Sequence, residues 1–122
     1  MIVSRLQDLE EGLPPFQHGM CSNEIFTPEQ AVHSRVALSI LGPGGCTEMH
    51  MHPGSEHYFL MIEGELLVRT DKTEVIIRPG ECVMIEEGEP HQVINMHDEE
   101  TRYFAICSPW PKAYVPYEEK KK

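Results

Sequence analysis

Short β-favouring runs, separated by glycine and proline turns, constrain the fold of this chain more than any other feature. The 122 residues include 9 glycines and 10 prolines, and pairs such as Pro53-Gly54 and Pro79-Gly80 interrupt the apolar runs. Glycine and proline are the strongest turn signals in a sequence, and no helix-period segment longer than two turns competes. Strands this short, at this spacing, predict an all-β sandwich or barrel.

The strand pattern predicts where the regular elements lie. The predicted strands are Val36–Leu41, Cys46–His52, Tyr58–Ile62, Glu65–Thr70, Thr73–Arg78, Cys82–Ile85, His91–Asn95 and Arg102–Cys107. A helical turn near Leu6–Glu11 is expected to stop at Pro14-Pro15. The length fits one domain, residues 1–122, with a core at about 20–108 between an N-terminal arm, 1–19, and a proline- and aromatic-rich tail, 109–122.

Charge and cysteine usage restrict the partners and the compartment. The net charge of −10 argues against nucleic acid and anionic membranes as partners, since both attract clustered lysine and arginine. The 4 cysteines are dispersed, which favours reduced thiols over a disulfide framework. The first residues lack the apolar core of a signal peptide, and no apolar run approaches the roughly 20 residues of a spanning helix. We therefore expect a cytoplasmic protein.

Four histidines form a pattern typical of a metal site. His50 and His52 are two residues apart in a predicted strand, so their side chains share one face. His57 follows a Pro-Gly-Ser turn, and His91 follows Gly-Glu-Pro. Neutral imidazole is a common metal ligand in proteins. The spacing therefore indicates a site for one metal ion.

The two regions that carry these histidines resemble the motifs of the cupin superfamily. The fixed positions of the first motif are occupied by Gly44, His50, His52, His57 and Gly64. Those of the second motif are occupied by Gly80, Gly88, His91 and Asn95. Glu86 stands where the family has proline, and His57 where it usually has glutamate. The resemblance implies a single-domain cupin-type β-barrel, a double-stranded β-helix or jelly roll. It also implies one divalent transition metal per chain and a homodimer.

Two neighbouring residues, Glu56 and His57, are alternative candidates for the third metal ligand. The motif has six residues between this ligand and Gly64, which favours His57, whereas the shorter variant of the motif uses Glu56 and leaves seven. Four neutral imidazoles would leave the full charge on a divalent ion and make it the stronger Lewis acid, while a carboxylate would remove one unit. Imidazole-rich sites suit Fe, Mn, Ni, Cu and Zn, so ligand type does not select the metal.

The alternation of side chains along the predicted strands indicates further candidate residues of the site. Glu48 shares the phase of His50 and His52, and is a candidate acid–base group or one that orients a ligand. Phe59 and Met61 share the phase of His57 and are expected to line a pocket. Arg35 is a candidate to bind a substrate carboxylate.

The resemblance implies a metal-binding protein that acts on a small organic molecule, and three functions follow from it. The first is dioxygenase-type chemistry, since an octahedral metal with four protein ligands keeps two open positions. The second is a non-oxidative isomerase of a sugar or uronate derivative. The third is a non-catalytic module that binds a small molecule.

Deletion of residues 109–122 is predicted to weaken self-association. Small cupins often pair through strand and tail exchange, and an apolar tail that contains Trp110 and Tyr114 is seldom left exposed. Size-exclusion chromatography of the full-length and truncated proteins tests this. An unchanged dimer after truncation would contradict it.

Overall fold

Short antiparallel strands make up nearly all of the regular structure. The computed structural model describes residues 1–9, 11–12 and 17–117, with side chains from 1–9 and 18–117. Its strands are β1 (Glu11–Gly12), β2 (Gln17–Glu24), β3 (Arg35–Thr47), β4 (His50–Met51), β5 (Glu56–Glu63), β6 (Leu66–Thr70), β7 (Glu74–Ile77), β8 (Cys82–Ile85), β9 (His91–Ile94), β10 (Thr101–Ser108) and β11 (Val115–Pro116). One 3-10 turn, Leu6–Asp8, lies within the helical turn that the sequence predicts. The predicted stop at Pro14-Pro15 lies outside the described residues.

The strands join into one wound sheet. Its main path runs β11-β4-β9-β3-β10-β5-β8; β2 adds to β3, and the β6–β7 hairpin adds to β9. Neighbours along this path are mostly distant in sequence, as in a jelly roll, where the chain crosses repeatedly between two sheets. The predicted all-β jelly-roll barrel is confirmed.

The barrel interior follows from the alternation of side chains along its strands. In β10 every second residue, from Thr101 to Cys107, is buried. In β5 the inward residues include Phe59 and Met61, whereas Leu60 is exposed. These inner faces meet in one apolar cluster that consists of Met20, Leu41, Phe59, Met61, Leu66, Val68, Ile77, Ile85, Val93, Tyr103 and Ala105.

Strand β3 is longer than the sequence predicts, and the expected end at Gly42 is wrong. The strand runs on through residues 42–45 to Thr47 and pairs with β2. The reason is a close approach of two backbones: a Cβ on Gly45 would lie 2.5 Å from the carbonyl oxygen of Gly19. The glycines therefore allow two strands to approach closely as well as to turn. Strand β2 was not predicted, because its sequence is largely polar.

The C-terminal segment packs on the barrel of its own chain. Strand β11 pairs with β4, so that Val115 lies opposite Met51. The indole Nε1 of Trp110 donates to the carbonyl oxygen of Ala31, and the amide of Tyr117 donates to Met49 O at 3.1 Å. The tail therefore covers one end of the sheet. None of the helices in the described part of the chain is long and apolar enough to cross a membrane.

One buried asparagine ties the strand ends together. Asn95 is fully buried, and its Nδ2 lies 3.1 Å from Leu41 O, 3.0 Å from Gly42 O and 2.8 Å from Glu99 O. Its Oδ1 accepts from the amide of His97 at 2.9 Å. Asn95 directly follows the last residue of β9. It satisfies backbone groups that three passing segments would otherwise leave buried and unpaired.

Replacement of Asn95 with Ala is predicted to lower the free energy of unfolding by about 2–4 kcal/mol, because several buried backbone groups lose their partner. Urea denaturation measures the change. Met96→Ala is the matched control, since Met96 is 74% exposed next to the network. A similar loss in both variants would contradict the role of Asn95.

Candidate metal centre

The strands bring His91 together with three histidines that lie more than thirty residues earlier in the chain. β4 and β9 are neighbours, and their first residues, His50 and His91, lie directly opposite each other. His52 follows β4 directly, and His57 is the second residue of β5. A turn over Pro53-Gly54 carries the chain from His52 to β5.

The four rings form one buried cluster. Between 2% and 5% of each residue is exposed. One ring nitrogen each from His50, His52 and His91 lies within 4.8 Å of the others. The His57 ring stacks on that of His52, with centroids 3.9 Å apart and planes 11° apart. Its centroid is 5.6 Å from that of His91.

Backbone carbonyls orient two of the rings. His50 Nδ1 lies 2.6 Å from the carbonyl oxygen of Glu48, and His91 Nδ1 lies 2.9 Å from that of Glu89. A carbonyl can only accept, so each Nδ1 carries the hydrogen. The Nε2 of each ring then keeps its lone pair, as metal-binding histidines require.

Two further ring nitrogens have no partner. His57 Nε2 and His52 Nδ1 are shielded from solvent and make no hydrogen bond of ordinary length among the described residues, and the backbone of Ala113 lies near enough to the His52 ring to oppose the lowering of its pKa. A buried polar atom without a partner costs free energy, and few such atoms persist in folded proteins unless something else binds them. A metal ion in the cluster would satisfy such a nitrogen.

Burial keeps the cluster uncharged. Desolvation, followed by repulsion from neighbouring histidines, lowers the pKa of His52 to about 2 and that of His57 to about 3. The same two causes lower the pKa of His91 to about 4, and desolvation lowers that of His50. All four imidazoles are therefore neutral at pH 7 and able to bind a metal.

The cluster forms one wall of a cavity. The cavity has a volume of about 400 Å3 including its opening. The lining of the cavity also includes Ser22, Ser39, Tyr103 and Arg35. Ser22 Oγ and Ser39 Oγ are 3.2 Å apart. Burial raises the pKa of the Tyr103 hydroxyl, so this group remains a hydrogen-bond donor.

The structure places the predicted site residues in different surroundings. His50, His52, His57, His91 and Phe59 all line the cavity, while Met61 lies in the apolar cluster behind it. Glu56 Oε1 instead accepts from the hydroxyl of the half-buried Tyr58 at 3.2 Å.

Glu48 does not lie in the cavity. Its side chain is 59% exposed and pairs with His18 at 3.5 Å. The expectation assumed one unbroken strand over residues 46–52, whereas β3 ends at Thr47 and β4 begins at His50. This break resets the alternation, and Thr47 points inward instead: its Oγ1 accepts from the amide of Val93 at 2.9 Å.

Sequence reasoning missed the aromatic cover of the site. Tyr114, in the tail, contacts the His52 ring edge-on, with centroids 4.3 Å apart. The sequence around Tyr114 shows only an aromatic residue among prolines, and this pattern does not predict a position near the histidines. Ser22 was missed because β2 was not predicted.

The residues present fit a divalent transition metal. Metal–nitrogen distances of about 2.1 Å place the nitrogens of two ligands at most about 4.2 Å apart. The separations within 4.8 Å therefore need only a small inward movement. His50, His52 and His91 could hold the ion, whereas His57 is not part of this group of three and stacks on the ring of His52.

Comparison with known proteins agrees with this architecture. The family profile described as "Cupin domain" matches residues 37–107. The tetracenomycin polyketide synthase protein TcmJ of Streptomyces glaucescens is 29% identical over 98 residues, 79% of this chain and 66% of the relative. The polyketide synthase CurC of Streptomyces cyaneus is 31% identical over 107 residues, 86% of this chain and 70% of the relative.

A solved structure resembles the fold over almost the whole chain. The polyketide cyclase RemF of Streptomyces resistomycificus superposes with a TM-score of 0.85 at 18% identity, and the match covers 99% of this chain and 88% of that one. At this identity the likeness shows the fold alone. The comparisons thus agree on the barrel, and the chemistry depends on the residues of the cavity.

The metal-free protein is predicted to lose stability as the pH falls below about 6.5. The folded-state pKa values of the clustered histidines lie below the ordinary value, so between these values the unfolded state binds more protons. Each histidine then contributes a loss of up to about 1.4 kcal/mol per pH unit. Urea denaturation between about pH 7 and pH 5 measures the slope.

Replacement of His57 with Gln should make this slope shallower, whereas Phe59→Leu should leave the slope unchanged while altering the stability itself. Equal slopes for wild type and His57→Gln would contradict a buried neutral His57.

Proposed function

The chain belongs to the cupin superfamily, and on that premise we propose that it is a metal-dependent enzyme that acts on a small carbonyl-bearing organic molecule. The relatives named as polyketide synthase proteins suggest a polyketide-type substrate, whose chain carries several keto groups. One observation carries the proposal. Buried neutral imidazoles converge on one wall of a cavity, and two of their shielded nitrogens lack a partner.

His50, His52 and His91 hold the ion in this proposal, and His57 completes the set. A divalent metal bound there supplies a Lewis acid that polarises a carbonyl oxygen. The carbonyls of Glu48 and Glu89 fix the ring orientations of His50 and His91, which prepares the site before the ion arrives.

Other residues of the cavity lining orient the substrate. Tyr103 keeps its proton because burial raises its pKa, and its hydroxyl can donate a hydrogen bond to a second oxygen of the substrate. Ser22 and Ser39 add two hydroxyl groups beside it. Phe59, Val93 and Ala105 supply apolar contacts that exclude water from the carbon skeleton. Such an arrangement suits a molecule with oxygen atoms at both ends and an apolar centre.

Non-oxidative carbonyl chemistry is our first candidate reaction: a proton leaves a carbon next to the carbonyl group and passes to a water molecule at the opening of the cavity. The hydroxyl donors of the cavity lining favour it, since the negative charge that develops on oxygen needs such donors. Dioxygenase-type chemistry is the second candidate. The all-imidazole ligand set favours it, because four protein ligands leave positions for both substrate and dioxygen.

Metal content is predicted to depend on the cluster. Plasma mass spectrometry should find about one equivalent of a first-row transition metal per chain in the wild type, and far less in His50→Ala and His91→Ala. His33→Ala is the matched control, since this histidine is exposed, and it should retain the metal. Loss of metal in all three variants, or no uptake by folded wild type, would overturn the proposal.

The reaction class is tested on the metal-loaded protein with ortho-hydroxyacetophenone, a small ketone with a second oxygen. Nuclear magnetic resonance in heavy water should show metal-dependent exchange of the methyl hydrogens next to the carbonyl group. Tyr103→Phe should slow this exchange. An oxygen electrode should record no uptake. Oxygen uptake with insertion of oxygen into the product would change the assignment to a dioxygenase. If neither reaction is detected, the protein is a non-catalytic binding module.

A further inference from the structure

A row of inward side chains connects the metal centre to a buried ion pair. Cys107 lies opposite Arg35 across the β10–β3 pair and opposite His57 across the β10–β5 pair. The three residues therefore form one cross-strand row on three adjacent strands, with side chains on the same inner face. Between 0% and 8% of each residue is exposed.

Contacts run along this row. Cys107 Sγ lies 3.4 Å from His57 Nδ1. Burial raises the pKa of the Cys107 thiol to about 11, and the Arg35 guanidinium beside the same sulfur opposes this rise. Glu24 Oε1 accepts from Arg35 Nε at 2.6 Å. The cation is thus anchored on one side and faces the sulfur on the other.

The direction of the bond between Cys107 and His57 decides what the ring can do. If the thiol donates, the hydrogen of the ring lies on Nε2, which then points at no acceptor and cannot bind a metal. If the ring donates from Nδ1, the sulfur accepts and Nε2 keeps its lone pair. His57 Nε2 is the atom that is shielded and unpartnered, so a metal ion beside it would select the second arrangement.

We propose that Cys107 is a positioning residue that accepts a hydrogen bond from His57 Nδ1 and thereby presents His57 Nε2 as the fourth metal ligand. The inference rests on the proposed metal site. Arg35 supports this geometry, because its positive charge faces the sulfur and favours the sulfur as an acceptor. Glu24 holds Arg35 in place and balances its charge. The thiol itself undergoes no reaction in this role.

The affinity for Co2+, followed by its visible absorption, tests the proposal on the full-length protein. Cys107→Val removes the acceptor with little change in volume, and should weaken Co2+ binding about 10- to 100-fold, the usual effect of losing the group that orients a histidine ligand. Cys107→Ser keeps an acceptor and should stay near wild type. Cys82→Val is the matched control, since Cys82 is exposed, and it should bind as the wild type does.

A double-mutant cycle separates positioning from mere packing. In a His57→Ala background, Cys107→Val should have no further effect on Co2+ affinity, because Cys107 acts through His57. Nitrogen nuclear magnetic resonance of the zinc-loaded wild type should place the hydrogen of His57 on Nδ1. Circular dichroism of each metal-free variant checks that it is folded.

Each outcome has one meaning. Wild-type affinity in Cys107→Val, or an effect that persists without His57, would overturn the positioning role and leave the metal centre intact. A hydrogen on His57 Nε2 in the zinc-loaded protein would do the same. A folded wild type that binds neither Co2+ nor Zn2+ would overturn the proposed function, and this inference with it.

Discussion

The burial of four uncharged imidazoles inside an apolar barrel is the constraint on which the rest of this structure depends. Each ring loses its hydration, and a proton on any one of them would meet neither water nor a carboxylate within the cluster. The fold tolerates this because the strands hold the rings in place: His50 and His91 donate to carbonyls of their own chain two residues earlier. Such local bonds cost little to form, since strand geometry already brings the atoms together. Two buried ring nitrogens nevertheless lack a hydrogen-bond partner among the described residues. These nitrogens are candidate ligand atoms.

The barrel and the histidine cluster show which features the spacing of residues in the sequence can predict. The β6–β7 hairpin follows from a two-residue turn signal at Asp71-Lys72 between alternating strands, and the structure pairs Leu66 with Ile77 as that signal predicts. His50 and His52 follow from the period of a strand, and His91 from the second motif. In these cases a short stretch of sequence determines the geometry by itself.

The misplaced residues lie where long-range contacts override local pattern. The glycine-rich run 42–45 reads as a turn, yet β2 crosses so closely there that no side chain fits on Gly45. Glu48 was placed inward by counting through a strand that the structure interrupts at residues 48–49. Likewise, Ser22 and Tyr114 reach the cavity only because β2 and the tail pack against distant strands. Period counting carries no information about such contacts.

The order of the chain has a consequence for how the centre is assembled. The four histidines lie between residues 50 and 91, whereas Tyr114, which contacts the His52 ring, comes more than twenty residues later in the chain. During synthesis the ligands therefore leave the ribosome before the residue that closes over them. An ion can reach the cluster while its entrance is still open, and the arrival of the tail then limits exchange with the solvent.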